Sequence, residues 1–134
     1  MKETVLYPMV AQGALIFSVL LLLMRRRLKA FAAGETDPKY FRLLQGTGEP
    51  DTVTQAQRNY LNQFEMPTLF FVGGILAAVF DRVDVVLVYA AWAFVAVRFI
   101  HTIVHVSGNN VLLRFRLFFL SNVILFFMWV WMVL

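Results

Sequence analysis

The chain contains no cysteine. No disulfide, thiolate metal site or cysteine nucleophile can form, so a thiol taking part in any chemistry here must arrive with a substrate. Charge is scarce as well. Asp, Glu, Lys and Arg make up 15% of the 134 residues, against about 25% in an ordinary soluble domain. Polar loops are few: residues 33–54 form the one extended polar stretch. No internal repeat and no low-complexity segment interrupts the rest. What remains is apolar. Hydrophobic residues account for 60% of the chain and the mean hydropathy is +0.72. This composition implies an all-α membrane protein built as a single domain.

The apolar runs divide the chain into four expected spans. Val5 to Met24 is broken only by Tyr7, Pro8, Gln12 and Ser18, and a span needs about 20 residues. Arg25, Arg26, Arg27 and Lys29 then stop it. A basic cluster after the apolar run, instead of before it, argues against a signal peptide. The expected helices cover roughly 5–30, 54–80, 85–106 and 111–134. A single helical turn is expected around Lys39–Leu44. Pro67 predicts a kink in the second helix, and Gly73-Gly74 predict close helix contact there. Asp81-Arg82-Val83-Asp84 and Ser107-Gly108-Asn109-Asn110 read as tight turns. Trp129 and Trp131 read as interface anchors.

Four spans put both termini on one side. The opposite side then carries Arg25, Arg26, Arg27, Lys29, Lys39, Arg42, Arg58, Arg98, Arg114 and Arg116, while the terminal side has only Lys2 and Arg82. Basic residues collect on the cytoplasmic side of membrane proteins. The expectation is therefore cytoplasmic loops and non-cytoplasmic termini. Compact loops and the lack of a recognisable endoplasmic-reticulum retrieval signal point to a bacterial inner membrane. The net charge of +4 is thus spent on topology and on a pocket, and nucleic acid is not an expected partner.

Several of these charges stand where insertion into hydrocarbon costs roughly 2.5–3.5 kcal/mol each. Arg58, Asn62 and Glu65 are spaced i, i+4, i+7 and share one helix face. Glu65 is expected to lie deepest within the second helix. Arg98, His101 and His105 are spaced i, i+3, i+7 on another face. Arg114 shares a face with Phe118 and Ser121. The three groups fall at the same ends of their helices, beside Arg25 to Arg27. Packed together, they would make a cationic, hydrogen-bonding pocket. Guanidinium groups hold carboxylates through paired bonds, Glu65 could hold an ammonium, and an Arg beside a thiol favours the thiolate. Apolar walls at Phe118 and Phe119 suit a lipophilic second substrate drawn from the bilayer.

Arg58-x-x-x-Asn62-x-x-Glu65 followed by Pro67 resembles the second-helix signature of the MAPEG family, the membrane-associated proteins of eicosanoid and glutathione metabolism. Arg98-x-x-His101-x-x-x-His105 and then Arg114 resemble the family's third- and fourth-helix positions. Arg27-Leu28-Lys29-Ala30-Phe31-Ala32 resembles the basic end of its first helix. The resemblance implies a four-helix bundle assembling as a homotrimer, with glutathione as co-substrate bound at the cytoplasmic end between protomers. It implies that Arg58, Asn62 and Glu65 hold the peptide backbone of glutathione. Arg98, His101 and His105 would hold its carboxylates or line its sulfur. Arg25 would be a further carboxylate contact, and Arg114 the catalytic thiolate stabiliser. His105 departs from much of the family, which has Tyr there.

Other readings stand beside this one. Arg25, Arg26, Arg27 and Arg116 could serve only as topology signals or snorkelling anchors. Arg58 and Arg98 could simply pair with Glu65 or with helix carbonyls. His101, His105 and Glu65 could hold a metal or haem, although a ring of arginines repels cations, and no metal is expected. The functional expectation is a glutathione-dependent transferase or peroxidase acting on lipophilic electrophiles in the membrane. The alternative is a non-catalytic binding or scaffold protein of the same architecture.

Overall fold

A computed structural model describes residues 2–134. A short 3-10 turn at Lys2–Val5 leads into α1 (Leu6–Ala32); α2 (Pro38–Leu43), α3 (Asp51–Asn62), α4 (Met66–Val79), α5 (Val85–Val106) and α6 (Val111–Val133) follow. No strand occurs among the described residues. Among the described residues, three helical stretches are long and apolar enough to cross a membrane: Lys2–Ala32, Val85–Val106 and Val111–Val133.

The second expected span is not one helix. It is divided into α3 and α4, with Gln63, Phe64 and Glu65 between them. Pro67 has no N–H to bond the carbonyl four residues back, and its ring crowds that carbonyl on Gln63. The break therefore falls N-terminal to the proline, and Pro67 sits in the first turn of α4, where a missing N–H costs nothing. With 14 residues, α4 reaches only about 21 Å at ~1.5 Å per residue, short of the roughly 30 Å of a hydrocarbon core. Glu65 consequently does not lie deep in a helix. It occupies the break ahead of α4 with backbone φ −85° and ψ −107°, and its side chain is exposed on the single chain.

The two ends of the bundle are tied differently. At one end Lys2 Nζ lies 2.8 Å from Asp81 Oδ1, and Trp131 Nε1 donates to Asp84 Oδ2 at 2.9 Å. The opening 3-10 turn, the α4–α5 turn and the last turn of α6 thus meet there. Asp84 also caps α5, accepting from the Leu87 N–H at 2.7 Å. Trp131 is accordingly a structural tie, beyond the anchor role its position suggests.

At the other end Arg26 donates to the Val106 carbonyl at 2.8 Å and to the Thr52 carbonyl at 2.8 Å. The first bond satisfies a carbonyl left free at the C-terminus of α5, where a cation also complements the helix dipole; the second reaches the first turn of α3. Gln55 Nε2 adds a bond to the Ser107 carbonyl at 3.3 Å. Arg27 grips Glu49 with Nε at 2.7 Å and Nη2 at 3.3 Å, and reaches Gln57 Oε1 at 3.0 Å. Arg26 and Arg27 therefore stitch α1 to the loop, α3 and α5, and are more than charged anchors.

Between the ends lies an apolar core of Val5, Phe70, Ala77, Leu87, Phe94, Leu125 and Met128 with their neighbours. Phe70 and Phe94 stack with centroids 4.6 Å apart. Lipid tails are as apolar as leucine, so association inside a bilayer rests on close packing, and small residues promote it. A Cβ on Gly73 would lie 3.3 Å from Trp129 Nε1, and one on Gly74 would lie 2.7 Å from Met9 Sδ. The glycine pair thus lets α4 approach both α6 and α1. The outer surface is studded with large apolar side chains, including Phe17, Leu21, Tyr89 and Phe126. A surface of that kind needs lipid or protein against it.

Candidate functional site

The broken segment and the α5–α6 turn bring polar groups to a common place. A cavity of ≈ 330 Å³ is lined by Arg58, Asn62, Glu65, His101, His105 and Arg114 on its polar sides, and by Val111, Phe115 and Phe118 on its apolar one. A second cavity of ≈ 310 Å³ adjoins it. The two share Arg58, His105 and Arg114. Six of the eight expected site residues thus surround one space, although they come from α3, the break, α5 and α6.

The remaining two are elsewhere. Arg98 is fully buried and does not line the cavity. Its Nη2 donates to Asn62 Oδ1 at 2.6 Å and approaches the Asn62 carbonyl at 3.4 Å, so it stands behind Asn62. Its Nε and Nη1 have no protein partner. Arg25 is exposed and lies outside the cavity. Successive helical residues are rotated by roughly 100°, so once Arg26 and Arg27 turn inward to α3 and α5, Arg25 faces away. Phe119 also stays outside the lining, stacking on Phe115 with centroids 6.4 Å apart.

The lining side chains are held by specific bonds. Asn62 accepts from Arg98 through its oxygen and donates through Nδ2 to Glu65 Oε2 at 2.8 Å. One amide therefore links a buried cation to a carboxylate. Glu65 also sits at the N-terminus of α4, where the helix dipole favours negative charge. Arg114 Nη1 donates to Asn109 Oδ1 at 2.6 Å. Asn109 has φ +49°, a left-handed conformation that asparagine tolerates well, and its N–H closes the end of α5 on the Val104 carbonyl at 2.8 Å. The same residue turns the chain and aims the arginine.

The His101 and His105 rings meet edge to face at 5.7 Å, and His101 lies 6.2 Å from the Phe118 ring. His105 Nδ1 is 3.0 Å from Asn59 Nδ2. Behind it run Gln63, Gln12 and Thr102, all buried. Sequence reading passed over Asn59, Gln63, Thr102 and the side-chain role of Asn109. The available signal was the i, i+4 spacing of Asn59 and Gln63, together with the amide of Gln12 inside an apolar run, where a polar group needs a partner. Among the described residues, no three His, Asp or Glu side chains are grouped so as to hold a metal ion.

This arrangement can bind a small anion bearing both carboxylates and an amine, and can present an apolar wall to a second molecule. The sequence profile of the MAPEG family matches residues 5–134. No significant match to a curated protein or to a solved structure accompanies it. The match begins in the opening turn before the first helix and runs to the last residue, so it takes in every side chain of the cavity: the chain belongs to the MAPEG family.

Proposed function

We propose that this protein is a glutathione-dependent transferase, or peroxidase, acting on lipophilic electrophiles in the membrane. Family membership supports a glutathione-related role in the membrane at the level of class. The observation that carries the finer reading is the single cavity whose polar side holds Arg58, Asn62, Glu65, His101, His105 and Arg114 and whose other side holds Phe115 and Phe118. A volume of ≈ 330 Å³ falls at the small end of the ~300–1,000 Å³ typical of ligand sites, and the adjoining cavity extends it.

In this reading Arg58 pairs with a glutathione carboxylate and Glu65 with its ammonium. Asn62, braced by Arg98, meets a peptide group. Arg114 lowers the free energy of the thiolate over the thiol, and the thiol proton leaves to water. In transfer the sulfur forms a bond to the electrophilic carbon while the leaving group departs with the bonding pair. In peroxide reduction the sulfur attacks a hydroperoxide oxygen and an alcohol is released. A second glutathione then converts the sulfenate to a disulfide and water. Exposed Arg58 and Glu65 suit a homotrimer in which a neighbouring protomer closes the cavity. Orientation follows from charge: the basic end faces the cytoplasm and both termini lie opposite, in a bacterial inner membrane.

The test is turnover by purified protein with glutathione and a chromogenic aryl halide, or with a lipid hydroperoxide. Conjugate or alcohol formation that collapses in Arg114→Ala supports the reading. Activity equal in the variant would remove Arg114 from its assigned role. Absence of both turnover and any thermal shift with millimolar glutathione would favour a non-catalytic scaffold.

A further inference from the structure

A chain of buried amides ends on His105. Gln12 Nε2 donates to Gln63 Oε1 at 3.1 Å. Gln63 Nε2 donates to Asn59 Oδ1 at 3.2 Å and to Thr102 Oγ1 at 3.1 Å. Asn59 Nδ2 meets His105 Nδ1 at 3.0 Å. Gln12 and Asn59 are fully buried and Gln63 is 1% exposed, so none of these amides can exchange its partner for water.

The direction of the chain follows from counting donors and acceptors. In the stated direction the oxygens of Gln63 and Asn59 are both accepting, so Asn59 has only its NH₂ to offer the histidine. Gln12 Oε1 is left without a partner, and the NH₂ groups of Gln12 and Asn59 each use one of their two N–H donors. Running the chain backwards would put the Gln12 NH₂ in that position, with two unpaired N–H groups. It would also deprive Gln63 of an acceptor for its second N–H, so the unused N–H groups would rise from two to four. An under-satisfied carbonyl is tolerated better than orphaned N–H donors. The forward direction is therefore the stable one.

We infer that Asn59, braced by Gln63 and Gln12, is a positioning residue that holds His105 in one tautomer. In that tautomer Nδ1 accepts from Asn59, and the proton stands on Nε2, the nitrogen left for the cavity that the ring lines with Arg58 and Arg114. His105 is then a fixed N–H donor for an anionic oxygen or sulfur and not a general base, because the nitrogen offered to the ligand already carries its proton. The relay also links α1 to the cavity, since Gln12 lies in α1. That the anion belongs to glutathione rests on the function proposed above; the tautomer does not.

Histidine occurs at two positions in the chain, which makes ring-nitrogen NMR tractable. Full-length protein labelled with ¹⁵N-histidine, in detergent micelles near neutral pH, gives long-range ¹H–¹⁵N correlations that separate protonated from bare ring nitrogens, and a His101→Gln sample assigns the signals. The expected pattern for His105 is a bare Nδ1 and a protonated Nε2. Asn59→Asp replaces the donor by a carboxylate of the same shape, so the bare-Nδ1 signal should disappear. Gln63→Leu frees the Asn59 amide to turn and should give a mixture of the two tautomers; it carries the test where Asn59→Asp does not fold. A protonated Nδ1 in the unmodified protein, or a pattern unchanged by either substitution, would overturn the inference. The signals are read without ligand, so failure of glutathione to bind would count against the proposed function and not against the tautomer.

Discussion

The Arg98 guanidinium donates to the Asn62 side-chain oxygen at 2.6 Å, joining α5 to the last residue of α3. Arg98 is fully buried. This bond does two jobs: it gives a buried cation an acceptor, and it turns the Asn62 NH₂ towards Glu65. The cavity wall is thus built from the second layer outward.

Asn62→Leu leaves that cation with no side-chain acceptor. Leaving a buried donor unsatisfied costs about 1–3 kcal/mol, and more when the donor is charged. A large drop in thermal stability in detergent is expected. Arg98→Leu combined with Asn62→Leu should recover much of it, because the stranded charge is gone. A double variant no more stable than Asn62→Leu alone would contradict this account.

Arg114→Ala should lower kcat/KM with glutathione and an aryl halide on the order of 10²–10³-fold, the scale of losing one preorganised charge-stabilising donor. Asn109→Gly keeps the left-handed backbone accessible and removes only the oxygen that holds Arg114. One lost hydrogen bond to a charged group is worth roughly 1.5–3 kcal/mol, so a fall of roughly 10- to 150-fold is expected, with stability little changed. Steady-state kinetics beside thermal unfolding separates the two effects.

Gly74→Leu should destabilise the bundle, since even a Cβ there meets Met9 Sδ at 2.7 Å. Overpacking typically costs about 1–3 kcal/mol. Met9→Ala in the same chain should relieve part of that cost. Thermal unfolding of the single and double variants is the measurement, and equal losses in both would exclude the contact as the cause.

Asp84 supplies a pH dependence outside the spans. The Leu87 N–H, and then the Trp131 N–H, hold its carboxylate below the usual range. A depressed folded value contributes stability that is complete above the unfolded pKa of about 3.9 and is lost as pH falls through the lower folded value. Unfolding temperature should therefore decline on acidification below about pH 4, and decline less in Asp84→Asn, whose side chain still caps α5 but does not titrate. Parallel profiles for the two proteins would disprove the linkage.

Much of the fold was legible because lipid imposes a simple rule. Backbone groups must be satisfied within each segment, so apolar runs become helices and polar clusters mark their ends. The run before Arg25 and the breaker residues at Ser107–Asn110 were readable in this way. The second helix was not. Pro67 predicted a kink, but its carbonyl clash acts towards the N-terminus, and only the folded backbone reveals that Gln63 to Glu65 lie between two helices and that Glu65 is exposed.

The site divides along the same line. By itself the sequence determined which residues are polar within apolar helices and, through i, i+4 and i, i+7 spacings, which of them share a face. Helical periodicity is a local property, so Arg58, Asn62, Glu65, His101, His105 and Arg114 could be named without knowing how helices pack. Tertiary structure decided their ranks. It set Arg98 behind Asn62, turned Arg25 outward, and recruited Asn59, Gln63 and Gln12 to hold His105. Those assignments depend on helix rotation and on contacts between residues as far apart as Gln12 and Gln63, and no local pattern encodes either.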